Sequence, residues 1–165
     1  MASYLFVLGR TPEFAFLELA SMVPDAHRLT PFVALGTSET EPRALLERLG
    51  GTVKAGEVIA TLDRLTPESL AALLPTGTPV TFGISAYEAL TAIEIGRSLR
   101  DIKKLLETKG VKARFVEPRE GTELTSVVVT KQHVVELLVV KTEAGYTIGQ
   151  TVAVQDFEGW NARDY

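Results

Sequence analysis

Apolar positions recur along the 165-residue chain with two periods, and the switching between them outlines the elements. Tyr4 to Leu8 is a short apolar run closed by Gly9, the pattern of a buried strand. Thr11, Pro12 and Glu13 form a helix start, with a capping residue, a proline at the first helical position and an acid in the first turn. Phe14, Leu17 and Met22 are expected on its buried side, and Pro24-Asp25 ends it. Residues 28–30 and 32–36 read as two short strands bent at Pro31. Thr40-Glu41-Pro42 opens a second helix with Leu45, Leu46 and Leu49 on its apolar face, closed by Gly50-Gly51. Thr52 to Leu62 reads as a strand with Val53, Val58 and Ile59 prominent and Gly56 as a candidate break. The order is β-α-β-β-α-β, a split arrangement in which two helices cover one face of a small antiparallel sheet.

A second unit begins at Thr66-Pro67-Glu68, a capped helix carrying Leu70, Leu73 and Leu74 and ended by Pro75-Thr76-Gly77. Pro79 to Tyr87 reads as a strand. The period then becomes sharply helical, with Ile95, Leu99, Ile102 and Leu106 on one stripe. Thr91 and Glu94 have the spacing of a capping box, and Gly110 is a C-terminal stop. Val111 to Val116 alternates as a strand, with Lys112 and Arg114 set between Val111, Ala113 and Phe115. Residues 124–133 carry strand propensity in Val127, Val128 and Val129 and a helix start in Thr125 or Ser126, so pattern alone leaves both open. Val134 to Lys141 and Tyr146 to Val154 flank an Ala144-Gly145 turn and read as a hairpin. The closing QDFEGWNARDY holds the only tryptophan, has no period, and reads as a connector.

Charge changes this picture in one place. Residues 91–119 hold eight Lys and Arg against four Asp and Glu, in a chain whose net charge is −4. At about 100° per residue, Arg97, Arg100 and Lys104 point away from the apolar stripe and Lys103 flanks it. Such a row is ordinarily just the solvated face of a helix. It gains meaning from the rest of the chain, because residues 1–90 are acidic, with six basic against ten acidic residues.

Composition sets the remaining bounds. Apolar residues make up 45% and charged residues 23%, enough for a packed core without staples. The absence of cysteine excludes a disulfide framework and a thiolate metal site, and fits a cytoplasmic protein. No apolar run approaches the ~20 residues that span a bilayer, and MASYLFVLGRTPEF reads as a strand rather than a signal peptide. His27 and His133 have no ligand-like neighbours. There is no phosphate loop, no GxSxG and no HExxH, and no carboxylate pair stands out, so a self-contained enzyme is not expected.

Several stretches resemble the N-terminal half of THUMP-containing tRNA guanosine-N2-methyltransferases. They are YLFVLGRTPEFAFLEL, LLERLGGTVKAGEVI, SLRDIKKLLETKGVKARFVEPREGTELTSVVV and TIGQTVAVQDFEGWNARDY, which together span nearly the whole chain. The resemblance implies an α+β chain with a ferredoxin-like domain over residues 1–64 and a THUMP RNA-binding domain over 65–154. Residues 155–165 then begin a connector to a Rossmann-type methyltransferase domain that this chain does not contain. It also implies that LTSVVV lies in a helix. The implied partner is tRNA, gripped at its acceptor stem and single-stranded 3′ end. The family's basic positions fall here on Arg97, Arg100, Lys103, Lys104, Lys112 and Arg114, with Arg119 in the following loop and Lys131 in the next helix. No catalytic, metal or cofactor site is expected in this chain. S-adenosylmethionine and the D/N-P-P-Y-type motif belong to the catalytic domain expected in cis. The rival expectation is a protein-interaction or oligomerisation module, or a non-catalytic subunit of a split methyltransferase. Neither membrane association nor an oligomeric state is implied.

Overall fold

The computed structural model describes residues 1–155. The part of the connector beyond Gln155, including Trp160, lies outside the described residues. The chain is mixed α+β, with eight strands and five helices among the described residues. It divides into two compact units, Met1–Glu57 together with the stretch that begins at Val152, and Val58–Thr151.

The first unit follows the expected order: β1 (Ala2–Leu8), α1 (Pro12–Met22), β2 (His27–Thr30), β3 (Val33–Ser38), α2 (Pro42–Arg48) and β4 (Thr52–Leu62), whose last residues pass into the second unit. The strands lie in the order β2-β3-β1-β4, with each neighbouring pair antiparallel. This is the ferredoxin-like split arrangement. Its core joins Tyr4, Phe6, Leu8, Ala34 and Ala55 of the strands to Ala15, Leu19, Leu45, Leu46 and Leu49. Gly56 does not break β4, which is continuous. Ile59 lies on its more exposed side, whereas Thr52 and Lys54 are buried.

Helix α1 corrects the expected burial. Phe14 and Leu17 are 74% and 66% exposed, while Ala15 and Leu19 are buried and Phe16 and Met22 partly so. The reason is steric. Gly51 lies so close beneath α1 that a Cβ there would come 2.7 Å from Ala15 Cβ, and only the small Ala15 allows that approach. The Glu18 carboxylate accepts from the Gly50 and Gly51 N–H groups at 2.9 to 3.0 Å, which holds the same rotation. Thr11 stands at the N-cap as expected, but its side chain makes no capping bond.

The second unit contains α3 (Pro67–Ala71), β5 (Val80–Tyr87), α4 (Ala92–Thr108), β6 (Ala113–Val116), α5 (Ser126–Lys131), β7 (Val135–Thr142) and β8 (Gly145–Val154), the last of which ends in the first unit. Its strands lie in the order β8-β7-β5-β6. β5 is parallel to both β6 and β7, and β7 pairs with β8 as the expected antiparallel hairpin. Val80, Phe82, Ile84 and Ala86 of β5 pack with Leu137 and Val139 against Leu70, Ile95, Leu99, Ile102 and Leu106 of α3 and α4. The alternate residues of β5 face the crossover that carries α5: a Cβ on Gly83 would meet Leu124 and Val134, and Ser85 Oγ accepts from Leu124 N–H at 2.8 Å. Thus α4 and α5 lie on opposite faces of this sheet. Residues 126–131 are helical, as the family resemblance implies and β-propensity does not, with Thr125 as the capping residue. No helix among the described residues is long and apolar enough to cross a membrane.

Candidate nucleic-acid interface

Helix α4 is held at both ends by local chemistry. Thr91 Oγ1 accepts from Glu94 N–H at 3.2 Å and Glu94 Oε1 accepts from Thr91 N–H at 3.0 Å, the reciprocal bonds of a capping box. Hydrogen bonding to the carboxylate, first from the Thr91 backbone N–H and then from the Thr91 side chain, holds the Glu94 carboxyl below its ordinary range, and Arg97 adds to the effect. At the other end Gly110 takes φ +82°, a left-handed stop that favours glycine. The buried stripe of Ile95, Leu99, Ile102 and Leu106 fixes the rotation of the helix. Arg97, Arg100 and Lys104 are therefore exposed on its outer side, with Lys103 half-buried at the flank. Ile93, 73% exposed and four residues before Arg97, heads the same stripe.

Strand β6 is a sheet edge, and its one cation, Arg114, points the other way. Ala113 and Phe115 pack into the α4-side core, so Arg114 turns toward the α5 face. Its guanidinium donates from Nη2 to Gln132 Oε1 at 2.8 Å, which ties the edge strand to the residue after α5. Lys112, Arg119 and Lys131 are all exposed. Six of the eight expected residues thus fall into two groups. Arg97, Arg100, Lys103 and Lys104 share α4, while Arg114 and Lys131 share the α5 side. Lys112 precedes the edge strand, and Arg119 lies in the loop that follows it.

Two residues of this surface carry no charge signal. Gln132 fixes Arg114, and nothing in its local pattern marks that role. Ile93 was legible by spacing alone, since 93, 97, 100 and 104 follow one helical stripe. Val127, 51% exposed, stands in the same relation to Lys131 on α5. The cationic stripe of α4 and the single cation of α5 are therefore each preceded by an exposed aliphatic side chain.

No group of three or more His, Asp or Glu residues among the described ones could hold a metal ion. His27 and His133 are both exposed. The buried carboxylate Glu136 is engaged by hydroxyls, accepting from Ser85 Oγ at 2.5 Å and Thr151 Oγ1 at 2.6 Å. What the surface offers is guanidinium and ammonium groups on well-anchored elements, the chemistry of phosphate contact.

No family model and no curated protein matches the chain. Among solved structures, the crystal structure of TrmN from Thermus thermophilus is similar, with a TM-score of 0.54 at 14% identity. The likeness covers 93% of this chain but 46% of that one, so the chain spans about half the length of that neighbour. At this identity the likeness is one of fold.

Proposed function

We propose that this chain is the tRNA-binding and substrate-positioning half of an S-adenosylmethionine-dependent RNA methyltransferase, with catalysis carried by a domain outside it. The observation that carries the reading is the outward stripe of Arg97, Arg100 and Lys104 on a capped, tightly packed helix in an otherwise acidic chain. The likeness in fold to TrmN, which extends over nearly the full length of this chain, supports it. In this reading residues 1–64 serve as a spacer and residues 65–154 as a THUMP domain that grips the acceptor end. Lys112, Arg114, Arg119, Lys103 and Lys131 extend the contact. The mechanism is positional: A-form RNA is recognised through shape, phosphates and 2′-hydroxyls, so a rigid basic surface suffices to hold the substrate. No residue of the chain takes part in methyl transfer.

Binding of a whole tRNA at two salt concentrations tests the reading. Arg100→Glu with Lys104→Glu is expected to weaken binding and to lower the salt slope by about 0.9 for each duplex phosphate that is no longer neutralised. Binding by the variant equal to the parent's at low salt would refute it. Removal of the single-stranded 3′ end should weaken parent binding.

A protein-contact role is favoured by a different observation, the exposed Phe14 and Leu17 of α1. Such apolar exposure on an acidic unit suits a protein surface better than a phosphate backbone. The two roles are compatible, because the residues involved are different.

A further inference from the structure

The crossover from β6 to β7 carries Arg119, Lys131 and Gln132, the residue that holds Arg114. One of its attachments to the sheet is a buried polar node. Ser85, fully buried on β5, donates its only hydroxyl proton to Glu136 Oε2 on β7. Glu136 Oε1 accepts in turn from Thr151 Oγ1 on β8. With its proton committed, Ser85 Oγ presents a lone pair to Leu124 N–H, two residues before α5 begins. Next to it the Thr122 hydroxyl donates to Ala86 O at 2.7 Å, and Ala86 N–H donates to Thr122 O at 2.8 Å. Gly83 lets the chain approach closely, since a Cβ there would come 2.6 Å from Leu124 Cδ1 and 3.1 Å from Val116 O.

A buried carboxylate is an expensive way to hold three strands and a loop together. Apolar side chains of the same volume often stabilise a fold as well or better. What they lack is direction. The Glu136–Ser85 pair fixes where one backbone N–H of the crossover must lie.

We propose that Ser85, oriented by Glu136, is a positioning residue for RNA binding: through Leu124 it sets where Lys131 and Arg119 stand, and through Gln132 where the Arg114 guanidinium points. This rests on the tRNA-binding reading above.

A double-mutant cycle on the full chain tests it, with a whole tRNA as the probe and the variants Ser85→Ala, Lys131→Ala and both together. Ser85→Ala is expected to weaken binding about tenfold and to lower the salt slope by about 1, although the serine itself is buried away from solvent. Because it acts through Lys131 and its neighbours, Lys131→Ala should cost several-fold less in the Ser85→Ala background than in the parent. A role in stability alone leaves the salt slope unchanged and makes the two effects multiply, and either result overturns the proposal. If Ser85→Ala loses its circular-dichroism spectrum, Thr122→Val, which removes a half-buried hydroxyl from the same crossover, replaces it in the cycle with the same expectation. Parent binding that is intact while Ser85→Ala binds equally well defeats this inference alone. A parent that binds no tRNA defeats the tRNA-binding reading, and this inference with it.

Discussion

Replacing Thr91 with alanine removes the acceptor for Glu94 N–H at the start of the helix that carries half of the eight basic residues. Loss of an N-cap hydroxyl costs about 1 kcal/mol. The damage should stop there, because Ile95 is buried one turn later and anchors the remaining 17-residue helix through Leu99, Ile102 and Leu106. For a chain of this size that is a fall of about 2–4 °C in Tm. Urea unfolding followed by circular dichroism at pH 7 measures it, as a lower midpoint at unchanged slope. The other half of the box responds to acid. The Glu94 carboxyl is held below its ordinary value when folded, so its contribution is complete above the unfolded value and is lost as pH falls through the folded one. Glu94→Gln should therefore be less stable than the parent at pH 7, with the gap closing on acidification as the parent's own carboxyl takes a proton. Unfolding of Thr91→Ala at the parent's midpoint, or a Glu94→Gln gap that stays constant as pH falls, would refute this account.

Two further predictions concern burial. On α1, Leu17→Glu should change stability by no more than about 0.5 kcal/mol, whereas Leu19→Ala should cost about 2–5 kcal/mol; denaturant midpoints that rank the two the other way would restore the burial expected from sequence. On β5, burial, then the Glu123 and Glu136 carboxylates, push the Tyr87 phenol well above its ordinary value. The unfolded chain ionises first, so stability should fall as pH rises beyond about 10. Tyr87→Phe should flatten that fall, and an identical alkaline profile in parent and variant would argue against it.

The sequence carried the element order because most elements announce themselves twice, by period and by punctuation. Helix α4 has both a single apolar stripe and a capping box, and its structure follows them closely. Helix α1 has punctuation only. PEFAFLELASM is apolar on both sides, so periodicity offers two buried faces, and a glycine about thirty residues away selects between them. Residues 126–131 show the opposite conflict, in which three valines favour a strand and the Thr125 cap favours a helix. Tertiary packing bears on it, since Leu124 before the helix and Val134 after it meet the face of β5 that Gly83 leaves open, and Val129 within the helix is buried. The charged surface was legible residue by residue, because exposure of Lys and Arg is the default. Its arrangement was not, because that depends on which face of the sheet each helix covers.

That last dependence follows from handedness. The chain runs from β5 through α4 to β6 on one side of β5, then through α5 back past β5 to β7 on the other. Parallel connections cross over right-handed, so two crossovers in opposite directions must place their helices on opposite faces. The cations of α4 and Lys131 of α5 are consequently separated by a sheet and two helices. With helices and a sheet layer each about 10 Å thick, their outer sides lie on the order of 30 Å apart, beyond a Debye length of about 8 Å at physiological salt. The two groups should then act on RNA independently. If a tRNA engages both, Arg100→Glu with Lys104→Glu and Lys131→Glu should each lower the salt slope, and their combination should lower it by the sum. If one group is silent while the other carries the whole slope, the binding surface is a single face of the unit. The RNA contact assigned to the silent group would then be refuted.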